Sequence, residues 1–212
     1  MTRPRLDETS RTLVTLAAQI AEGDPEEIRK GVAEAIAVGV APLAVDELVL
    51  QSVLTVGWPR ALVAAGIWRA AAGAPSPLGE DGLDYARYEE WTRRGELTCR
   101  TIYGDHYTRL RANVQALHPA LEAWMVTEGY GRTLARPGLA LKLRELCTVA
   151  QTAVLRTPRQ LHSHLLGALR SGASIDEVDA TLRVVHPLLP RAAWREARTL
   201  WQRIRDAWAS AP

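Results

Sequence analysis

Lysine and cysteine are both nearly missing from this 212-residue chain. Lys30 and Lys142 are the only lysines, so almost all of the positive charge is arginine. Genomic base composition accounts for such a bias. A functional use also exists, because the planar guanidinium recognises carboxylates in a bidentate way that an ammonium does not. Cys99 and Cys147 are the only cysteines and lie far apart, which excludes a disulfide framework and fits a reducing compartment. No charge of one sign dominates: 26 basic residues face 24 acidic ones, for a net charge of +2. The clustered basic excess of a dedicated nucleic-acid binder is missing. The opening segment MTRPRLDETSRTLV has neither a long apolar core nor a small-residue cleavage site, so a secretion signal is not expected. The most apolar stretch, Pro42 to Ala72, carries Asp46, Glu47, Arg60 and Arg69 and contains Pro59. These interrupt the ~20 apolar residues that a membrane span needs. A soluble, cytoplasmic protein without nucleic-acid or membrane partners is the expectation. Alternating Val/Ile/Thr runs are also missing, which argues against a sheet.

What remains is helix. Asp24-Pro25-Glu26-Glu27 has an Asp at the N-cap, Pro at the first helical position and Glu at N3. The cap side chain accepts a backbone N–H that the first turn leaves without a partner, and an acid or amide at N3 returns the bond. Thr157-Pro158-Arg159-Gln160 has the same design, and Ser174-Ile175-Asp176-Glu177 is a third capping box. The first two starts lead into apolar-periodic runs that end at Gly39 and Gly172, residues able to adopt the left-handed conformation that closes a helix.

These signals occur twice. At an offset of 133 residues, Arg11, Leu13, Thr15, Ala17, Pro25, Ala35, Gly39, Val45 and Asp46 match Arg144, Leu146, Thr148, Ala150, Pro158, Ala168, Gly172, Val178 and Asp179 without a gap. The caps and closing glycines coincide as well. A two-residue shift then brings Pro59-Arg60-Ala61 onto Pro190-Arg191-Ala192. Each unit reads as helix, tight turn, helix, Gly, helix, Pro, helix, the signature of an internal repeat. The predicted organisation is a first unit over 1–72, a connecting segment over 73–135 and a second unit over 136–212. The connection opens with a Gly/Pro-rich loop from Gly73 to Gly82. Tyr85, Tyr88, Trp91, Tyr103, Tyr107, Trp124 and Tyr130 follow at helical spacing, which reads as core or as a contact between subunits.

The second unit carries a family resemblance. Arg136-Pro137-Gly138-Leu139, then Leu143-Arg144-Glu145-Leu146, then His164 followed by Gly167-Ala168-Leu169 and Gly172, resembles the carboxymuconolactone decarboxylase and AhpD-like family. In the first unit Gln51 and Gly57-Trp58-Pro59-Arg60-Ala61 resemble the end of that family's repeat. The resemblance implies an all-α, AhpD-like helical bundle with an internal tandem repeat. It also implies assembly: single-repeat members form hexamers, so two-repeat chains are expected to form homotrimers. Short helical pairs that bury their apolar faces poorly alone agree with that.

Two chemistries occur in the family. The AhpD-like branch uses a Cys-x-x-Cys at the start of the helix that holds the His, where unpaired amides and the helix dipole stabilise a thiolate. Those positions are Thr157 and Gln160 here, so thiol peroxidase chemistry is not expected. The decarboxylase-like branch needs no thiol pair. It must hold carboxylates, exclude water and deliver a proton. Glu145 and His164 match the acid–base positions and are the candidate catalytic pair. Arg144 and His162 are the candidate substrate-binding residues. Glu145 precedes the turn and His164 follows it, so antiparallel packing would bring them together.

Each candidate has a plain structural alternative. Glu145 can serve as an ion-pair partner in the core, and His164 as a satisfied core or interface histidine. His162 lies two positions from His164, nearly on the opposite helix face, and no second i, i+4 partner supports a metal site. Cys147 reads as a buried, inert thiol, while Cys99 has no assignment. His118 and His186 each precede a proline and mark helix boundaries. In the first unit Thr12 and Gly31 stand where Glu145 and His164 stand in the second, so one copy has no acid–base pair. The leading expectation is therefore a lyase acting on a small carboxylate-bearing lactone or organic acid, with no cofactor and no metal. The alternatives are a catalytically silent oligomeric binding or scaffold protein and, third, a thiol redox enzyme.

Overall fold

The computed structural model describes residues 6–73 and 82–210. Residues 74–81, which hold most of the loop expected between the units, lie outside the described residues. The chain is all-α, with no strand among the described residues. The first unit comprises α1 (Glu8–Glu22), α2 (Pro25–Val38) and α3 (Pro42–Ala72). The connecting segment holds α4 (Tyr88–Tyr103), α5 (Tyr107–Leu117), α6 (Pro119–Trp124) and a π-helical stretch, Met125–Leu134. The second unit comprises α7 (Leu141–Val154), α8 (Pro158–Arg170), α9 (Ile175–Val185) and α10 (Arg191–Ala209).

The helix boundaries follow local hydrogen-bond chemistry. Asp24 Oδ1 accepts from the Glu26 and Glu27 amides at 2.7 and 3.4 Å. Ser174 and Glu177 make both bonds of a capping box, at 3.1 and 2.7 Å. Gly39 and Gly172 both sit at positive φ, 75° and 93°. At each, the next residue donates back across the end of the helix, Val40 to the Ala35 carbonyl and Ala173 to the Ala168 carbonyl, both at 2.9 Å. Thr157 departs from expectation: its side chain makes no cap bond. Arg156, at φ 56°, turns the chain sharply. The Thr157 amide and hydroxyl then both donate to the Thr152 carbonyl, at 3.1 and 3.2 Å, so they close α7 instead of opening α8.

The repeat extends further than the sequence pairs indicate. Trp68 Nε1 donates to Asp46 Oδ1 at 2.9 Å, and Trp201 Nε1 donates to Asp179 Oδ1 at 2.7 Å. Both bonds tie the last helix of a unit back to the helix before it. The units differ where those helices meet. In the first they form one run, α3, kinked at Gly57 (φ 70°, ψ 173°). In the second a 3-10 turn at His186–Leu188 separates α9 from α10. Asp46 also pairs with Arg69, and Glu47 with Arg136 and Arg144, so the acids of the apolar α3 have intramolecular partners.

The core is shared by the units. α1 and α7 pack against each other at its centre, and every residue of α7 from Arg144 to Ala153 is buried. A helix buried all round belongs in the middle of a protein. Leu13, Leu16 and Ile20 of α1 and Leu146 and Val149 of α7 are buried there. Truncating one such leucine to Ala costs about 2–5 kcal/mol. The connecting segment has a second, smaller core of Cys99, Ile102, Tyr107, Tyr130 and Leu134. α4 crosses the π-helical stretch closely: a Cβ on Gly95 would lie 1.9 Å from the Val126 carbonyl oxygen, and one on Gly131 1.9 Å from that of Trp91. α4 also packs on α8, which brings this second core against the second unit.

Candidate active site

The sharp turn at Arg156 folds α8 back along α7, and the hairpin brings an acid onto a histidine. His164 Nδ1 lies 2.9 Å from Glu145 Oε2. When the carboxylate is ionised it only accepts, and in that state Nδ1 donates to it and Nε2 is the nitrogen left for chemistry. The Glu145 side chain is 0% exposed and that of His164 is 12% exposed. Glu145 Oε1 is buried with no hydrogen-bond partner among the described residues. Space for the carboxylate depends on a missing side chain. Gly167, one turn beyond His164 on α8, is where a Cβ would fall 2.3 Å from Glu145 Oε2 and 2.8 Å from Ile102 Cγ2.

His164 opens onto a cavity of about 850 Å³ between α3, α5–α6, the π-helical stretch and the α7–α8 hairpin. Tyr103 and Tyr130 also reach it, their hydroxyl oxygens 2.8 Å apart and their rings edge to face. Burial pushes the Tyr103 hydroxyl up to about 12 and raises Tyr130 well above the usual phenol value, so both are neutral hydroxyls near neutral pH. Cys99 lies behind this wall and Cys147 in the central core; burial pushes each thiol up to about 12. Neither is the accessible thiolate that redox chemistry requires.

Arg144 and His162, the expected substrate contacts, do not line the cavity. Arg144 is 0% exposed, and its donors are spent on the protein. One terminal nitrogen meets Glu47 Oε2 at 2.7 Å, the other meets Gln51 Oε1 at 3.1 Å, and Nε donates to the Leu139 carbonyl at 3.0 Å. Arg136 reaches both oxygens of the same Glu47, at 3.0 and 3.1 Å. This is a buried strut between the units. His162 is exposed on the outer side of α8, because two residues along a helix turn through about 200°. Sequence reading missed Glu47, since nothing local marks it as the partner of an arginine 97 positions away. It also missed the tyrosine pair, whose helical spacing reads as core or as a contact between subunits. The π-helical turn that presents Tyr130 has no simple periodic signature.

Thr157 and Gln160 line the cavity beside His164, at the positions where the thiol-using branch carries its cysteines. Among its described residues the first unit has no such site. Thr12 is buried at the place of Glu145, and a Cβ at Gly31 would lie 1.9 Å from Gln19 Oε1, so a glutamine side chain occupies the space of the missing histidine. Among the described residues no group of His, Cys, Asp or Glu is arranged to hold a metal ion.

The model of the Carboxymuconolactone decarboxylase family matches residues 1–70 and 119–209, well over half of the sequence. The chain belongs to that family. The two matched regions fit a tandem repeat, and residues 71–118, with Tyr103 among them, fall outside the match. No curated protein matches the chain.

Proposed function

We propose that this member of the family is a lyase of the decarboxylase-like kind, in which His164, oriented by Glu145, delivers a proton to an organic acid or lactone held in the cavity. The carrying observation is the 2.9 Å contact between His164 and the wholly buried Glu145, at the wall of the cavity. In such a reaction the bond to the departing carboxylate breaks, carbon dioxide leaves, and the electron pair moves into a conjugated carbonyl. Protonation at carbon by Nε2–H of an imidazolium completes the step, and solvent returns the proton to His164. Glu145 holds the ring so that Nε2 faces the ligand. The buried, high-pKa thiols and the Thr157/Gln160 replacement speak against the redox alternative.

The test is a double-mutant cycle. Glu145→Gln and His164→Asn should each remove most decarboxylation of a panel of lactone and keto carboxylates, and the double variant should be little worse than either single one. A wild type that turns over none of the panel, with variants that only melt earlier, leaves the silent-scaffold alternative in its place. We propose in addition that the chain assembles as a homotrimer. Leu50 and Leu54 before the Gly57 kink of α3, and Trp58 and Leu62 after it, are exposed apolar residues, and Leu117, Leu121 and Trp124 are exposed on α5–α6. Light scattering should return about three times the 23.3 kDa chain mass, and a monomer at micromolar concentration refutes the assembly.

A further inference from the structure

The cavity wall has a composition that narrows the ligand. Its charged side chains are Arg159 and Glu128, and Glu128 is already paired with Arg132 at 2.7 Å. Arg144, the guanidinium expected to hold a carboxylate, points into a buried strut instead. A dicarboxylate would find one guanidinium on the described wall, Arg159, beside the His164 ring. The wall from α5, α6 and the π-helical stretch is mostly apolar, with Leu110, Val114, Leu117, Leu121 and Met125 around Asn113. The volume, about 850 Å³, lies toward the upper end of the ~300–1,000 Å³ range that holds drug-sized ligands.

Hydrogen counting then locates the polar end. The two tyrosines bring two hydroxyl hydrogens, and their 2.8 Å contact uses one. Tyr130 is the more buried, and a buried O–H left without an acceptor costs its full desolvation, so Tyr130 donates to Tyr103. The Ser163 hydroxyl, also on the cavity wall, donates to the Arg159 carbonyl at 3.3 Å. The hydrogen of Tyr103 is then the one left over, and Tyr103 lines the cavity together with His164. A donor so placed can serve an acceptor on a ligand, and a carbonyl or enolate oxygen is such an acceptor.

We infer that the cavity takes a mainly apolar carbonyl acid, with its carbonyl oxygen hydrogen-bonded by Tyr103, its body on the α5–α6 wall and its single carboxylate toward Arg159. This rests on the cavity being the site of the lyase reading. Tyr103 touches the oxygen on which charge gathers as carbon dioxide leaves, and so it acts beside the acid–base pair. The donor is set by the connecting segment and not by the repeat.

The probe is 6-propionyl-2-dimethylaminonaphthalene, an uncharged ketone whose emission moves to the blue in apolar surroundings and back to the red when its carbonyl is hydrogen-bonded. Titrated into the 212-residue protein it should bind saturably. Tyr103→Phe should raise its Kd roughly threefold to tenfold, the worth of one hydrogen bond, and shift the bound emission further to the blue. The parent dye without the acyl group should bind both proteins alike, which a merely structural effect of Tyr103 would not reproduce. 3-Oxodecanoate should displace the ketone at lower concentration than cis,cis-muconate, a short dicarboxylate. No binding by the wild type, identical affinity and emission for Tyr103→Phe, or stronger displacement by muconate each overturns the inference. A wild type that binds ketone and oxo acid as expected but releases no carbon dioxide refutes the lyase reading and leaves the ligand class standing.

Discussion

Replacing Gly167 with alanine separates a helix that merely contains a glycine from one that needs it. In a helix interior, Gly→Ala ordinarily stabilises by about 0.5–1 kcal/mol, because alanine has less backbone freedom to lose. At 167 the new Cβ would sit 2.3 Å from Glu145 Oε2 and 2.8 Å from Ile102 Cγ2. The carboxylate must retreat by roughly 1 Å to reach ordinary contact, inside a core where an added methyl typically costs about 1–3 kcal/mol. The retreat also weakens the bond to His164, and a hydrogen bond to a charged group contributes about 1.5–3 kcal/mol. Set against the helix gain, the net loss is roughly 2–4 kcal/mol, a fall in Tm of about 4–16 °C for a chain of this size. Gly66 on α3 is the internal control, because a Cβ there would meet nothing within 4 Å. Gly66→Ala should hold or raise the Tm. Paired melting curves and the NMR titration of the His164 ring decide the matter. If Gly167→Ala melts no lower than wild type and leaves the His164 titration unchanged, the claim that this glycine makes room for Glu145 is wrong.

Three further outcomes follow from buried groups. Glu47→Gln should cost about 3–5 kcal/mol by denaturant titration, because it leaves two buried guanidiniums without their counter-charge, yet it should leave ketone binding in the cavity within twofold; a loss under 1 kcal/mol contradicts the strut. Cys99 and Cys147, both fully buried, should react with a thiol reagent at pH 8 only after denaturation, and rapid stoichiometric labelling of the native protein refutes their burial. The fold should weaken in alkali. The folded-state values of Tyr103, Cys99 and Cys147, each about 12, lie above their ordinary values of 10.0 and 9.0, so the unfolded chain loses these protons first. Their contribution is complete below pH 9 and declines as pH rises towards 12, which a lower denaturation midpoint at pH 10.5 than at pH 8 will register; an unchanged midpoint contradicts it.

Much of the molecule was legible from the order of residues alone. Caps and closing glycines act over three to five residues, so Asp24, Ser174, Gly39 and Gly172 mark their helix ends wherever those helices later pack. The repeat and the all-α class follow from the same short-range logic, whereas Glu145 and His164 were singled out by the family resemblance and their contact was made by the packing of α7 on α8. Thr157 shows where that logic stops: the backbone at Arg156 decided which carbonyl its hydroxyl reached. Long-range partners were decided by packing. Arg144 had the right type and position for a substrate contact, yet helix α3 delivered Glu47 and Gln51 to it, and a buried guanidinium must spend its donors on whatever acceptors surround it. Tyr103 and Tyr130 became neighbours only because α4 and the π-helical stretch cross at Gly95 and Gly131. A helix carries its own hydrogen-bond pattern in its sequence; the residues that meet across helices depend on crossing geometry, which belongs to the assembled core.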